Sequence, residues 1–240
     1  MVHLFVKGMN PSMRLRIGLR ACGMTAALLG TTLGVVSPSQ ACNTSPQAEA
    51  YVVSAQALGG LVNVPPTPDS KFPPGGTNSL PTLILGPVNA DALLTATTAG
   101  DVKAGTASAS ATTAHLVLTI PLVGSLDVTA IKATCDAPAS PGTATGTSTI
   151  ATAVFTPVAP PAPLPPVPPV TIAIPTGVNQ TVDVLGLGTI VFNKQTTDKD
   201  GNLTVEAADV TLAGGQEVVL GYAMCGGAMP STNGTMQHKS

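Results

Sequence analysis

The longest run of strict alternation in the chain lies between Gly105 and Ile120. Ala107, Ala109 and Ala111 alternate with Ser108, Ser110 and Thr112, and Leu116, Leu118 and Ile120 then alternate with His115, Val117 and Thr119. A period of two places every second side chain on one face, so the run predicts one long strand, or two in series, with one face buried. Pro121 to Gly124 predicts a turn, and residues 126–135 (LDVTAIKATC) the antiparallel return. A second pair follows the same grammar: residues 188–193, a polar connection over 194–202, and a return from Leu203 to Ala207. Asp200-Gly201 is a favoured hairpin turn because Gly adopts positive φ without steric cost. Past it the phase changes, since Leu203, Val205 and Ala207 are followed by Ala208, Val210 and Leu212, which predicts a β-bulge near Ala207-Ala208. Gly214-Gly215 then turns the chain into a last strand over 217–225.

The flanking segments are less regular. Residues 50–64 predict two short strands interrupted at Gly59-Gly60 and ended by Pro65-Pro66, and residues 65–81 predict a loop. Thr82 to Leu85 resumes as a strand, and 90–96 reads as strand or a single helical turn. Nine prolines between 157 and 175 predict that 156–175 is an extended, polyproline-like loop through which no ladder runs, because Pro lacks the donor. The expected fold is all-β: one antiparallel β-sandwich or barrel-like domain over 42–227, after an N-terminal signal helix and before a disordered tail over 228–240.

Composition narrows what this domain can do. The 240 residues hold no Trp, and after residue 41 the aromatic set is Tyr51, Phe72, Phe155, Phe192 and Tyr222. The core must therefore be built from Val, Leu, Ile and Ala, which bury little area each at roughly 25 cal/mol per Å². The same scarcity counts against aromatic platforms for sugars or single strands. Twelve acidic residues against six basic ones after residue 41 give that part a net charge of −6. General affinity for nucleic acid or anionic lipid requires the opposite sign.

Charge also marks the export signal. Arg14, Arg16 and Arg20 precede an uncharged stretch over 21–36, which ends in Ser37-Pro38-Ser39-Gln40-Ala41. These are an n-region, an h-region and a small-x-small cleavage site. Sixteen residues rich in Gly, Thr and Ala are short for a membrane span, which needs about 20 apolar residues. Cleavage is expected after Ala41, so residues 1–41 form the signal peptide and the mature chain begins at Cys42; an uncleaved anchor is the alternative. Met1, Met9 and Met13 are all candidate starts, and Met13 gives the more conventional n-region. A cysteine at the new N-terminus raises lipid modification, although Ser39 and Gln40 depart from the usual lipobox.

The usual fingerprints of catalysis are missing. Beyond the signal the histidines are His115, on a predicted strand face, and His238, in the tail. No zinc cluster can be assembled from them, and His115 reads as a surface residue rather than a base. No nucleophile-elbow, zinc-protease or phosphate-loop pattern occurs in the mature chain. Asp198, Asp200 and Asn202 alternate as in calcium loops, but Gly201 stands in the fourth place and position twelve lacks Glu, so a hairpin turn is the better reading. Asn43, Asn179, Asn202 and Asn233 open glycosylation-type sequons, and short three-residue patterns of this kind carry little meaning by themselves. No catalytic, cofactor or metal residue is expected. Cys22 leaves with the signal and three cysteines remain. Cys135 and Cys225 both end predicted strands and are expected to form a disulfide joining sheet edges, leaving Cys42 spare or modified.

Certain segments carry a resemblance. Ala50-Tyr51 with Gly59-Gly60-Leu61, the run 128–135 (VTAIKATC), and above all 190–195 (IVFNKQ) followed by 200–207 (DGNLTVEA) and Cys225 are similar to secreted actinobacterial proteins grouped as the choice-of-anchor P family. The resemblance spans about residues 48–227. The family hairpin usually reads Asn-Glu-Gln and then Thr-Val-Asn-Ala, from which this chain departs with Lys194 and Glu206. It implies an exported β-domain without established activity, whose members carry differing C-terminal anchors. No sortase signal or membrane helix follows Cys225, which leaves release, lipidation at Cys42 or non-covalent retention. The expected role is non-enzymatic, structural or adhesive, secreted or on the outer face of the cell envelope, with envelope components as partners. The alternatives are an extracellular module for a small ligand or metal, and a secreted hydrolase using carboxylates.

Overall fold

The computed structural model describes residues 45–57, 62–85, 88–139, 143–163 and 165–227. The signal segment, Cys42, Asn43, Gly59-Gly60-Leu61, His238 and the tail 228–240 lie outside them. Every regular element among the described residues is a strand, and all pairings are antiparallel. Of the two arrangements expected, sandwich or barrel-like, the sheets pack as a sandwich.

One sheet contains β1 (Gln47–Ala57), β2 (Val62–Phe72), β12 (Gln180–Val184), β13 (Gly188–Thr197), β14 (Leu203–Leu212) and β15 (Glu217–Gly226), in the order β12-β13-β14-β15-β1-β2. The second is built on one long hairpin, β7 (Thr106–Ile120) and β8 (Gly124–Ala137). On the β7 side lie β5 (Val88–Ala90) with β4 (Leu83–Leu85), and β6 (Leu94–Asp101) with β3 (Gly76–Leu80). On the β8 side lie β9 (Thr145–Thr149) and β10 (Thr152–Pro157), the latter carrying β11 (Val170–Thr171). β1 and β15 lie across β7 and β8, and the core between them is aliphatic apart from Phe72, Phe155 and Phe192.

Both sheets are creased, and this organises the molecule. In the first, Ala207 and Ala208 both point into the core, as do Val52 and Val53. Gly221, in a left-handed conformation (φ +63), lies against Ile131 and Ala133 of the opposite sheet. Pairing lapses at Asn193, Ala207, Gly221 and Val52 together, yet the register on either side is unchanged across β13-β14, β14-β15 and β15-β1. The phase change at Ala207-Ala208 is therefore real but is not a bulge confined to one strand. All four strands shift at the same row, so no residue is left over.

The second sheet has a matching crease of opposite sense. Inward positions run Ala111, Thr113, then Leu116 on β7, and Val128, then Ile131 on β8, with Ala130 at positive φ. The flanking strands do not cross it. β5 and β6 separate at residues 91–93, and β9 and β10 at 150–151.

Two sequence-based expectations are corrected. Residues 65–81 are not a loop: β2 runs through Pro65, Pro66 and Pro68, and β3 follows. β2 is an edge strand, where a missing N–H costs nothing on the open side, and its register shifts at the Pro pair, as prolines in sheets require. The segment 156–175 is not free of ladders, since Thr156 and Pro157 belong to β10, and Val170 and Thr171 pair with Phe155 and Val154. Of the two readings of 90–96, the strand is the one that forms, Ala90 ending β5 and 94–96 opening β6.

Candidate functional site

Two groups of titratable side chains lie on the outer faces of the creases. On the second sheet His115 stands where β5 and β6 separate. Its Nδ1 lies 2.5 Å from Asp91 Oδ1 and its Nε2 3.0 Å from Asp127 Oδ1. The hydrogen bond to Asp91 raises the imidazole pKa above its ordinary value, against an opposing effect of burial, and the Asp127 charge adds to the rise. The same bond lowers the Asp91 carboxyl. With both ring nitrogens engaged by carboxylates, His115 is suited to tie the β5-β6 connection, β7 and β8 together rather than to act as a free base.

On the first sheet Lys194 sits in an acidic nest: Nζ bonds Asp209 Oδ2 at 2.5 Å, lies 3.1 Å from Glu206 Oε2 and 4.0 Å from Glu217 Oε1. Glu206 and Asp209 are three residues apart, which on a regular strand would face them oppositely. The crease brings both to one face. Burial raises the Glu206 pKa, partly offset by the Lys194 charge, and Lys194 itself is raised because its bond to Asp209 and the Glu206 charge outweigh its own burial. Alongside, Tyr51 and Tyr222 stack with ring centroids 4.3 Å apart and 7° between planes. Burial raises both phenols. Sequence reading passed over this group, although its signal was present in the same phase change that flagged Ala207-Ala208.

A cavity of about 390 Å³ opens where the creases face each other, between Ile150-Ala151, Asn193 and Ala207. Its polar wall is Asn193 and Ser148, joined by a hydrogen bond from Ser148 Oγ to Asn193 Oδ1. Gln195 Nε2 donates to the same Oδ1 and to the Gly146 carbonyl. Asn193 and Gln195 thus stitch β13 to β9. Asn179 completes the stitch: its side-chain amide brackets the Gln195 backbone, accepting from its N–H and donating to its C=O.

The remaining sequence candidates fall elsewhere. Cys135 and Cys225 are joined, with Cα atoms 5.7 Å apart. Both are fully buried, so the bridge links the sheets face to face through the core instead of joining their edges. Asp198, Asp200 and Asn202 form the tip between β13 and β14. Asp198 Oδ1 accepts from the Asp200 and Asn202 N–H groups and Oδ2 accepts from Asn202 Nδ2, so its carboxylate closes its own turn. Those bonds outweigh burial and lower the Asp198 pKa. Among the described residues no three His, Cys, Asp or Glu are placed to hold a metal, and no helix is long and apolar enough to cross a membrane. Comparison with known proteins found no matching family model, curated sequence or solved structure.

Proposed function

We propose that the protein is an exported, non-enzymatic β-domain of the cell envelope or its exterior, with a structural or adhesive role. The observation that carries this reading is the buried Cys135–Cys225 bridge. Such bonds persist in oxidising compartments and are rare where thiols are kept reduced. The chemistry of the side chains supports the non-enzymatic part: the carboxylates of Asp91, Asp127 and Asp209 bond to His115 and Lys194, within sheets, and serve cohesion. Hydroxyl pairs such as Thr129–Thr152 and Thr134–Thr147 give the second sheet a cross-strand polar ladder suited to contact with envelope polymers. The resemblance to the choice-of-anchor P family agrees with this role.

A second reading, a module for a small neutral ligand, is favoured by the cavity at Asn193 and Ser148. Fractionation of cells carrying a tagged chain tests the proposal. Oxidised protein in medium or wall fractions is expected; reduced protein confined to the cytosol overturns it.

A further inference from the structure

The two ends of the sandwich differ in chemistry. One end carries the β6-β7 turn with Asp101 and Lys103, and the β13-β14 turn with Asp198, Lys199 and Asp200. At the other end the turns 121–123 (PLV), 185–187 (LGL) and 213–216 (AGGQ) hold no charge. The first two converge, since the Phe155 ring is met from both Gly124 and Gly186. The nearest charges along the chain stand on strands: Asp127 bonded to His115, Asp183 beside Thr189 and Glu217 beside Lys194.

Each converging turn projects a leucine. Leu122 is 95% exposed and Leu185 98%. One tip comes from each sheet, and Val158, half-exposed, hydrogen-bonds beside the first through the Val123 carbonyl. Leu122 also occupies an unfavourable backbone position. Val123 N–H bonds to the Ile120 carbonyl and Leu122 has φ +66, the place in a tight turn that glycine fills without strain. A bulky side chain that gains no burial and strains its own turn does not serve the fold.

The geometry points to these tips as an insertion surface for an electrically neutral lipid layer. The two leucines are convex knobs without walls of their own, so a fluid apolar phase fits them where a rigid partner would need two matching hollows. The turns bring no charge into that phase, and in each the N–H that closes the turn is already bonded, Val123 to Ile120 and Leu187 to Val184. This goes beyond the envelope role, because it fixes which end of the domain meets which chemistry.

The chain has no tryptophan, so a single introduced one reports its own site. With the exported mature chain from Cys42 and phosphatidylcholine vesicles, Leu122→Trp and Leu185→Trp should shift to shorter emission wavelength and be quenched by brominated lipid. Lys103→Trp at the charged end should not. In the Leu185→Trp background, Leu122→Gly should weaken vesicle binding about tenfold while leaving the melting temperature equal or higher. Loss through unfolding would lower both. Added salt should leave binding unchanged. No shift at 122 and 185, an equal shift at 103, stronger binding to anionic vesicles, or a shift that follows protein concentration without vesicles would overturn the assignment, the last by showing that a second copy covers the tips.

Discussion

Replacing Gly221 with alanine tests whether the crease in the first sheet is held by close contact. An alanine Cβ there would stand 2.9 Å from Ile131 Cγ2 and 3.0 Å from Ala207 Cβ, distances at which a neighbour must move. Both neighbours lie in the core, Ile131 on the opposite sheet, and neither is the free end of a long side chain. The backbone adds a second cost, since φ +63 is a left-handed conformation worth roughly 1–2 kcal/mol for a residue with a Cβ. Overpacking a filled core costs typically about 1–3 kcal/mol. The expected destabilisation is therefore about 2–5 kcal/mol, a large part of the roughly 5–15 kcal/mol that holds a domain folded. Gly201→Ala is the matched control: its φ is +82 and nothing lies within 4 Å, so only the backbone cost applies. The restriction of the unfolded chain is the same in both variants and cancels in the comparison. Equilibrium urea unfolding should show Gly221→Ala with the lower midpoint and an unchanged slope. Equal midpoints would refute the argument that the two creases are nested against each other.

Other consequences are open to simple measurement. Removing the bridge with Cys135→Ala and Cys225→Ala opens a loop with a sequence separation of 90 and should cost about 4–5 kcal/mol in the chain-entropy model, read as a fall in denaturant midpoint; a loss under 1 kcal/mol would contradict it. His115 has a folded pKa raised above its unfolded value, so its contribution to stability is complete below about pH 6.5 and is lost as pH rises through the folded value. The difference in melting temperature between the wild type and His115→Gln should shrink over that rise, and a pH-independent difference would count against the clamp. Thermal melts with calcium and with chelator should superimpose, because Asp198 is committed to its own turn; a calcium-dependent rise of several degrees would show otherwise. Intact mass of the exported chain should correspond to a start at Cys42, and retention of residues 13–41 would exclude cleavage there.

How much of the fold can be read from the chain depends on where the determining contacts lie. Alternation over 105–120 is local, because each side chain's direction follows from its neighbour's, and it yields β7 directly. The hairpin at Asp200-Gly201 is equally local, set by the φ its Gly allows. Pro65 and Pro66 misled for the converse reason. A proline's cost in a strand depends on whether its N–H faces a partner, and only the sheet order places β2 at an edge.

The candidate site shows the same division more sharply. Periodicity in a single strand reveals that Ala207 and Ala208 break phase, but one strand's sequence cannot distinguish an inserted residue from a row that shifts in all its neighbours. Only the paired strands decide this, and with it the meeting of Glu206, Asp209 and Lys194 on one face, since that contact depends on long-range register. Likewise, the predicted strand ends at Cys135 and Cys225, with Cys42 lying before the first strand, point to the pair, while its place in the core follows from the stacking of β8 and β15. The sequence by itself determined strand class and turn chemistry, because these rest on the residues and their near neighbours. The tertiary structure decided the nested creases, the buried ion cluster and the uncharged leucine end, because each exists only where strands distant in the chain are brought together.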